Sequence, residues 1–454
     1  MGFASEYEAF EFIFRTLSQR NETHEPRGLD EISRTIDPTR QLLLAAGLPK
    51  KKREYAVVTG SKGKGSTAVI AAKLLQALGH KTGLVTSPHL VSWYERIRID
   101  GQAIPKDDFL RILWHLKPFI EAEEQRLVDK QYISPQGIFL LIALQWFDEH
   151  GVSAAVLEVG RGGRFDDMAL VPNMVSIFTP IFKEHTRYLG DSLERIAWHK
   201  AGIITQGSYV YSVAQEPAVL EVIKKEADVR DAEFFWFSQR DMGQYLGDTP
   251  DGIRFRLQRY GELELPLLGR YQIANATLAV QAVGNMHSRL QGIAHGSEEY
   301  VKRIGEGLAR VRWPGRLQKL QDNPAVYVDG AINVHSAQNF LESLRNRLTQ
   351  PLISIAGVPE DRDYDGVYKI LAQKSNALIL TETDVHPTIH FPDAQIALDS
   401  ARQYLDDVGH IPTLPQALES AYQKAGATGT ILLAVAQPLV GEAMLIWQVE
   451  TEQI

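Results

Sequence analysis

The sequence predicts an α/β protein: a doubly wound, mostly parallel sheet domain built around a phosphate-binding loop (P-loop), followed by a smaller Rossmann-like α/β domain. Three observations predict it. Four residues of strand character, Tyr55 to Val58, run into a turn holding three glycines and then into a stretch of helical spacing, Ala68 to Leu78. Strands and helices alternate from 55 to 205, the pattern of parallel strands joined by crossover helices. A second alternating set begins beyond Trp313-Pro314-Gly315-Arg316, whose composition suits a hinge.

At 454 residues the chain exceeds one ordinary core, and two bodies are expected, 1–312 and 313–454. Hydrophobic residues at 44% and charged residues at 23% place it among globular proteins. The 48 Lys and Arg against 56 Asp and Glu give a net charge of −8, which speaks against broad attachment to nucleic acid or anionic membrane. The run Lys50-Lys51-Lys52-Arg53 reads as solvated loop. The absence of cysteine excludes disulfides, thiolate metal sites and cysteine nucleophiles. The N-terminus MGFASEYEAF lacks a signal pattern, and no apolar run nears the ~20 residues of a membrane helix, so a cytoplasmic protein is expected.

In chain order, helical patches around Tyr7 to Leu17 and Leu29 to Ala46 precede the loop strand and are expected to cover one sheet edge. Thr82 to Thr86 reads as a strand ending in Ser87-Pro88-His89, with an irregular stretch through Glu95 and Arg98. Helices follow over Lys106 to Leu127 and Ser134 to His150, then a buried strand over Ala154 to Val159. Strand Met174 to Phe178 leads to Lys183-Glu184-His185 and a helix from Ser192 to Lys200, capped by Asp191 or Ser192. Gly252 to Leu268 alternates as an antiparallel ribbon, and Ile273 to Met286 is helical. The second set comprises strands at Ala325 to Val328, Leu352 to Ala356, Ala377 to Leu380 and Thr430 to Val435. Its helices span His335 to Leu348, Ala394 to Asp406 and Leu414 to Ala425.

The chemistry concentrates in the first loop. Gly60, Gly63 and Gly65 let backbone N–H groups converge on an anion at a helix N-terminus, where the dipole favours negative charge. Lys64 adds a cation, and Ser66 and Thr67 offer hydroxyls to a phosphate or its metal. Gly65 separates Lys64 from the hydroxyls, a departure from the general phosphate-loop pattern, and a glycine-rich turn alone is often only a turn. Glu158 ends a strand before Gly160, Gly162 and Gly163, the end at which open α/β sheets place ligands. Read singly, Glu158 also suits a solvent-facing rim, His185 a satisfied polar residue, Lys200 a surface helix, and Arg316 a pairing with some carboxylate.

The runs VVTGSKGKGST, TSPHLVSWYERIRIDG, LEVGRGGRFD, EHTRYLGDSLERIAWHKAGII, LLGRYQIANA, WPGRL and VDGAINVHSA together resemble the folylpolyglutamate synthase and dihydrofolate synthase family of the Mur ligase superfamily. The likeness runs from about Gly28 to Glu442 with the motifs in family order. It implies a ligase that activates a folate- or pteroate-like carboxylate with ATP as an acyl phosphate, which the amino group of L-glutamate attacks. It further implies that Lys64 and Ser66 hold the terminal phosphates, that Ser87 and Glu158 ligate one Mg²⁺, and that Glu158 and His185 ligate a second. Lys200 matches a carbamylated lysine; Asn275, Arg316 and Asp329 match positions that contact ATP; and His89, Arg96 and Arg98 belong to a loop beside the metal and pterin region. Members are commonly monomers.

Four departures bear on the product. Glu184 stands where the family has Asp, Ile332 where it has His, and Arg362-Asp363 where it has Lys-Asp. The family's Thr-Gly-Ser element reads Val435-Ala436-Gln437-Pro438. The ATP half is therefore better matched than the amine half, which leaves two other readings: a paralogue joining a different amine and carboxylate, or a nucleotide-binding regulator that has lost turnover.

Overall fold

The computed structural model describes residues 2–24, 28–291, 296–384 and 389–454. Its first sheet holds β1 (Glu54–Thr59), β2 (Thr82–Val85), β3 (Ile97–Ile99), β4 (Gln102–Ala103), β5 (Ala154–Glu158), β6 (Val175–Phe178), β7 (Tyr209–Val213) and β8 (Glu233–Phe237). A ribbon follows, β9 (Gln244–Asp248), β10 (Ile253–Leu257) and β11 (Gly261–Leu265). The last sheet holds β12 (Gln318–Asp322), β13 (Ala325–Asp329), β14 (Leu352–Gly357), β15 (Ala377–Leu380), β16 (Val408–His410) and β17 (Thr430–Val435).

Helices before and beside the first sheet are α1 (Glu6–Thr23), α2 (Asp30–Ser33), α3 (Asp37–Ala46), α4 (Lys64–Ala77), α5 (Lys106–Glu124), α6 (Pro135–Glu149), α7 (Thr186–Leu189), α8 (Leu193–Ala201), α9 (Pro217–Val229), α10 (Gln272–Gln291) and α11 (Glu298–Ala309). Those of the second set are α12 (Val334–Leu344), α13 (Tyr364–Ala372), α14 (Ala394–Ala401), α15 (Leu414–Ala425) and α16 (Gln437–Ile446).

The first sheet runs β4-β3-β2-β5-β1-β6-β7-β8, parallel from β2 to β8, with β3 and β4 antiparallel at one edge. The second runs β12-β13-β17-β14-β15-β16, parallel except for β12. Both are doubly wound, because buried apolar clusters lie on each face. Helix α4 shows why: Ala68, Ile70, Ala71, Leu74 and Leu75 are buried on all sides, between the sheet and α10 and α11.

Strand β1 sits centrally between β5 and β6, so the loops leaving the carboxyl ends of these three strands share one crevice. The stretch Trp313 to Arg316 carries the chain from α11 to β12, between the two sheets.

Several expectations need correction. The N-terminal helices pack on α5 and α6 rather than covering a sheet edge, and the second patch is broken at residues 34–36 before Pro38 opens α3. The stretch through Arg98 is not irregular throughout; it forms β3, paired with β2. The unit β7–α9–β8 extends the parallel sheet beyond residue 205.

Candidate active site

Helix α4 begins at Lys64, four residues before the hydrophobic spacing predicts it, because Gly63 serves as its N-cap at φ +87°. No side chain caps its first turn, which leaves the N-terminal amides pointing at the crevice. A Cβ on Gly63 would lie 2.5 Å from Asn275 Oδ1, and one on Gly60 (φ +143°) would collide with Thr179 Oγ1. These two glycines are thus required both by conformation and by close approach. Lys64 Nζ donates to the Gly60 carbonyl at 3.0 Å, holding the loop folded.

Above the loop lies a cavity of about 370 Å³ between the two sheets. From the side of the first sheet it is lined by Gly63, Lys64, Gly65, Ser66, Ser87, Glu158, His185 and Asn275, and from the side of the second by Arg316 and Asp329. Tertiary folding therefore joins Gly63 to Asp329, 266 positions apart in sequence.

Glu158 ends β5 and is buried; its Oε2 accepts the Ser87 amide at 3.1 Å. Burial pushes its carboxyl above the ordinary range, and the Lys64 ammonium opposes that. His185 adopts a left-handed conformation, φ +50°, a strained geometry for a side chain larger than glycine. Burial lowers its pKa to about 4, so the imidazole is neutral with a free lone pair near pH 7. Asp329 Oδ2 accepts the Leu317 amide at 2.8 Å, and its carboxyl is raised by burial against the pull of Arg316.

Gly60, Thr67 and Lys200, which the sequence singled out, are not on the wall. Gly60 and Thr67 lie behind it, the Thr67 hydroxyl fully buried with no partner among the described residues. Lys200 is also fully buried; its Nζ donates to the carbonyls of Gly60 (2.8 Å) and Arg161 (2.9 Å) and to Glu184 Oε1 (3.3 Å). Burial lowers its pKa to about 8 although Glu184 raises it. The helix that carries it starts where Ser192 Oγ accepts the Arg195 amide at 3.2 Å.

Among the described residues no three His, Cys, Asp or Glu side chains gather as a metal cage. Ser87, Glu158 and His185 nevertheless share the cavity, and one carboxylate with a hydroxyl suits a hard cation that takes its other ligands from phosphate oxygens and water.

The Mur ligase middle domain matches residues 58–283, and the Mur ligase glutamate ligase domain matches residues 315–436. A dihydrofolate synthase/folylpolyglutamate synthase of Bacillus subtilis is 31% identical over 370 residues, 79% of this chain and 82% of that protein. The chain belongs to the folylpolyglutamate synthase and dihydrofolate synthase family. It is accordingly an ATP-dependent ligase that forms a C–N bond.

Solved structures agree. A Mycobacterium tuberculosis folylpolyglutamate synthase complexed with ADP and AMPPCP superposes with a TM-score of 0.81 at 27% identity, covering 96% of this chain and 99% of that one. A folylpolyglutamate synthase complex with AMPPCP and folate gives 0.75 at 26% identity, covering 96% and 99%. Among the described residues no helix is long and apolar enough to cross a membrane.

Within this family framework the structure adds residues that the sequence did not single out. Lys62, inside the run VTGSKGKGST, lines the cavity and makes no hydrogen bond or ion pair among the described residues. Its pKa is lowered by burial, with Asp329 opposing and Arg316 reinforcing. Tyr271 and Asn339 also line the wall, as do Phe182 and His335, whose rings lie 5.5 Å apart across the two bodies. Lys62, Tyr271 and His335 lie inside the runs VVTGSKGKGST, LLGRYQIANA and VDGAINVHSA, whereas nothing local marks Phe182 or Asn339.

Other expected residues lie elsewhere. Ile332 packs on the second body's core and does not line the cavity. Gln437 donates to the carbonyls of His89 and Leu90. Arg96 donates from Nε to His89 Nδ1 at 3.0 Å and lies 4.4 Å from the Trp93 ring centroid. Arg98 turns away to the chain's last residues.

Proposed function

We propose that the protein joins L-glutamate to a folate- or pteroate-like carboxylate, driven by ATP. The observation that carries this reading is one cavity in which the Lys64 loop faces Arg316 and Asp329 between the two sheets. We assign the bodies on either side to 1–312 and 313–454.

A carboxylate oxygen attacks the γ-phosphorus, a P–O bond forms, and ADP leaves with the electron pair of the broken bond. The amine lone pair then attacks the acyl carbon; phosphate leaves with the C–O electrons, and the nitrogen gives up its proton. Lys64, the α4 amides and Ser66 bind the β- and γ-phosphates. Arg316 and Lys62 set positive charge against the transferring phosphoryl group, where the cavity walls weaken screening by water. Asn275 and Asp329 orient the nucleotide, and closure of the second body excludes water from the acyl phosphate.

Ser87, Glu158 and His185 would hold Mg²⁺, which supplies charge neutralisation between phosphate oxygens when bound. Lys200, with a pKa near 8, offers a neutral amine fraction whose lone pair adds to the carbon of CO₂ while the nitrogen releases a proton to water; this carbamate is the lysine form we assign to the active protein, and the ammonium held by Gly60, Arg161 and Glu184 is its unreacted form. The amine site is supported by family membership rather than by Ile332 or Gln437, neither of which faces the cavity. We also read the protein as a cytoplasmic monomer, working where ATP is supplied; light scattering in solution checks the mass.

The test is ADP release with Mg²⁺-ATP across a matrix of dihydropteroate, folates and amino acids, with product masses measured. Release that requires both a folate or pteroate and L-glutamate supports the reading. Release only with another pair assigns a different amide, and binding of ATP without release under any pair removes the ligase assignment.

A further inference from the structure

Past α16 the chain returns to the first sheet. Arg98, 1% exposed, donates to the carbonyls of Thr451 (2.8 Å) and Glu452 (3.2 Å). The Ala103 amide donates to Glu452 O at 2.8 Å, the Ile454 amide to Gly101 O at 3.1 Å, and Gln453 bridges Gln102. The segment 449–454 thus covers the β4 edge, which would otherwise present unpaired backbone groups.

One side chain links this segment to the nucleotide cavity. Glu95, 3% exposed, accepts the Thr451 hydroxyl at 2.9 Å on Oε1. The same carboxylate accepts three consecutive amides: Val91 (3.0 Å) and Ser92 (2.8 Å) on Oε1, and Leu90 (2.9 Å) on Oε2. From the other side Gln437 and the Cβ-free Gly441 close on Leu90, whose carbonyl leaves no room for a side chain at 441. Residues 86–92 form no strand or helix of their own: Leu90 to Ser92 are held by Glu95, which closes a capping box on Ser92 at the start of the short turn Trp93–Arg96, and by the distant Gln437 and Gly441, while Glu158 accepts the Ser87 amide. Ser87 and Pro88, at the start of this stretch, line the cavity.

We propose that Glu95 is a positioning residue for the ligase reaction, coupling the docking of segment 449–454 to the placement of Ser87–Ser92 beside the nucleotide. This rests on the function proposed above, in which Ser87 faces the phosphates. Each donor removed from a buried carboxylate leaves charge less compensated and loosens the amides that share it. Thr451→Val removes one donor at nearly constant volume, Thr451→Ser restores it, and Glu95→Gln replaces an acceptor oxygen by an N–H₂ facing amide donors.

The experiment combines amide hydrogen exchange in the presence of AMPPCP with steady-state kinetics. In Thr451→Val and Glu95→Gln, exchange at Leu90, Val91 and Ser92 is expected to quicken about fivefold or more. In both, kcat falls by a similar factor while KM for ATP stays within about twofold, and Thr451→Ser recovers both readouts. Unchanged exchange at these three amides in both variants, or faster exchange with kcat per folded molecule intact, overturns the proposal. A wild-type protein without turnover removes the ligase reading, and the exchange comparison still decides the coupling by itself.

Discussion

Lys200 Nζ lies 2.8 Å from the carbonyl of Gly60, tying helix α8 to the first glycine of a loop 140 residues earlier. The contact places a fully buried amine directly behind the phosphate loop, with Glu184 as its counter-charge. Substitution at either end alters the loop without touching the cavity wall.

Lys200→Ala is expected to lower kcat by about 10²-fold or more, the scale set by losing one preorganised charged group. If the carbamate is the working form, formate or acetate restores part of the rate, and CO₂-depleted buffer slows the wild type. Full activity in Lys200→Ala would falsify the assignment.

Lys62 combines an ammonium that has no hydrogen-bond or ion-pair partner among the described residues with partial burial, an arrangement that costs stability unless a ligand anion meets it. Lys62→Met should therefore leave the melting temperature equal to or above that of the wild type, while kcat/KM for ATP drops about tenfold. A clear loss of stability with unchanged kinetics would make Lys62 a structural residue.

Gly63→Ala sets a Cβ 2.5 Å from Asn275 Oδ1 on a backbone at φ +87°. The expected cost is on the order of 1–3 kcal/mol in unfolding free energy, with weaker AMPPCP binding. Denaturant unfolding and calorimetric titration check the two effects, and tight AMPPCP binding by the variant would show that the loop tolerates the shift.

His80 is buried with its Nε2 2.8 Å from His287 Nδ1, and burial followed by the second imidazole lowers its pKa from 6.5 to about 4. The unfolded chain then binds more protons than the folded one across this window. The pair's contribution is complete above about pH 6.5 and falls as pH drops toward about 4, by on the order of 1–2 kcal/mol. His80→Gln should flatten the decline in melting temperature between about pH 7 and about pH 5. Parallel declines in the two proteins would assign the acid sensitivity to other groups.

Much of the scaffold is legible in local pattern. The limits of Ala377–Leu380, Leu414–Ala425 and Thr430–Val435 agree with the structure because buried strands and amphipathic helices carry their own periodicity. Strands β3, β4 and β12 do not: the first two span three and two residues, and β12 reads QKLQD, so pairing with neighbours and not composition makes them strands. The second body's α13 and α16 escaped for a related reason, since short helices are held by packing on a sheet rather than by propensity.

The sequence by itself determined the phosphate loop, the alternation of strands and helices after it and the family, because glycine conformation, lysine charge and apolar spacing are local properties. Tertiary structure alone decided which side chains meet. Lys200 went behind the loop, Lys62 into the cavity, Ile332 into a core, and Arg98 to Thr451, a partner 353 residues away. Each outcome depends on burial and on donors brought from distant elements, and neither is written in the spacing of neighbouring residues.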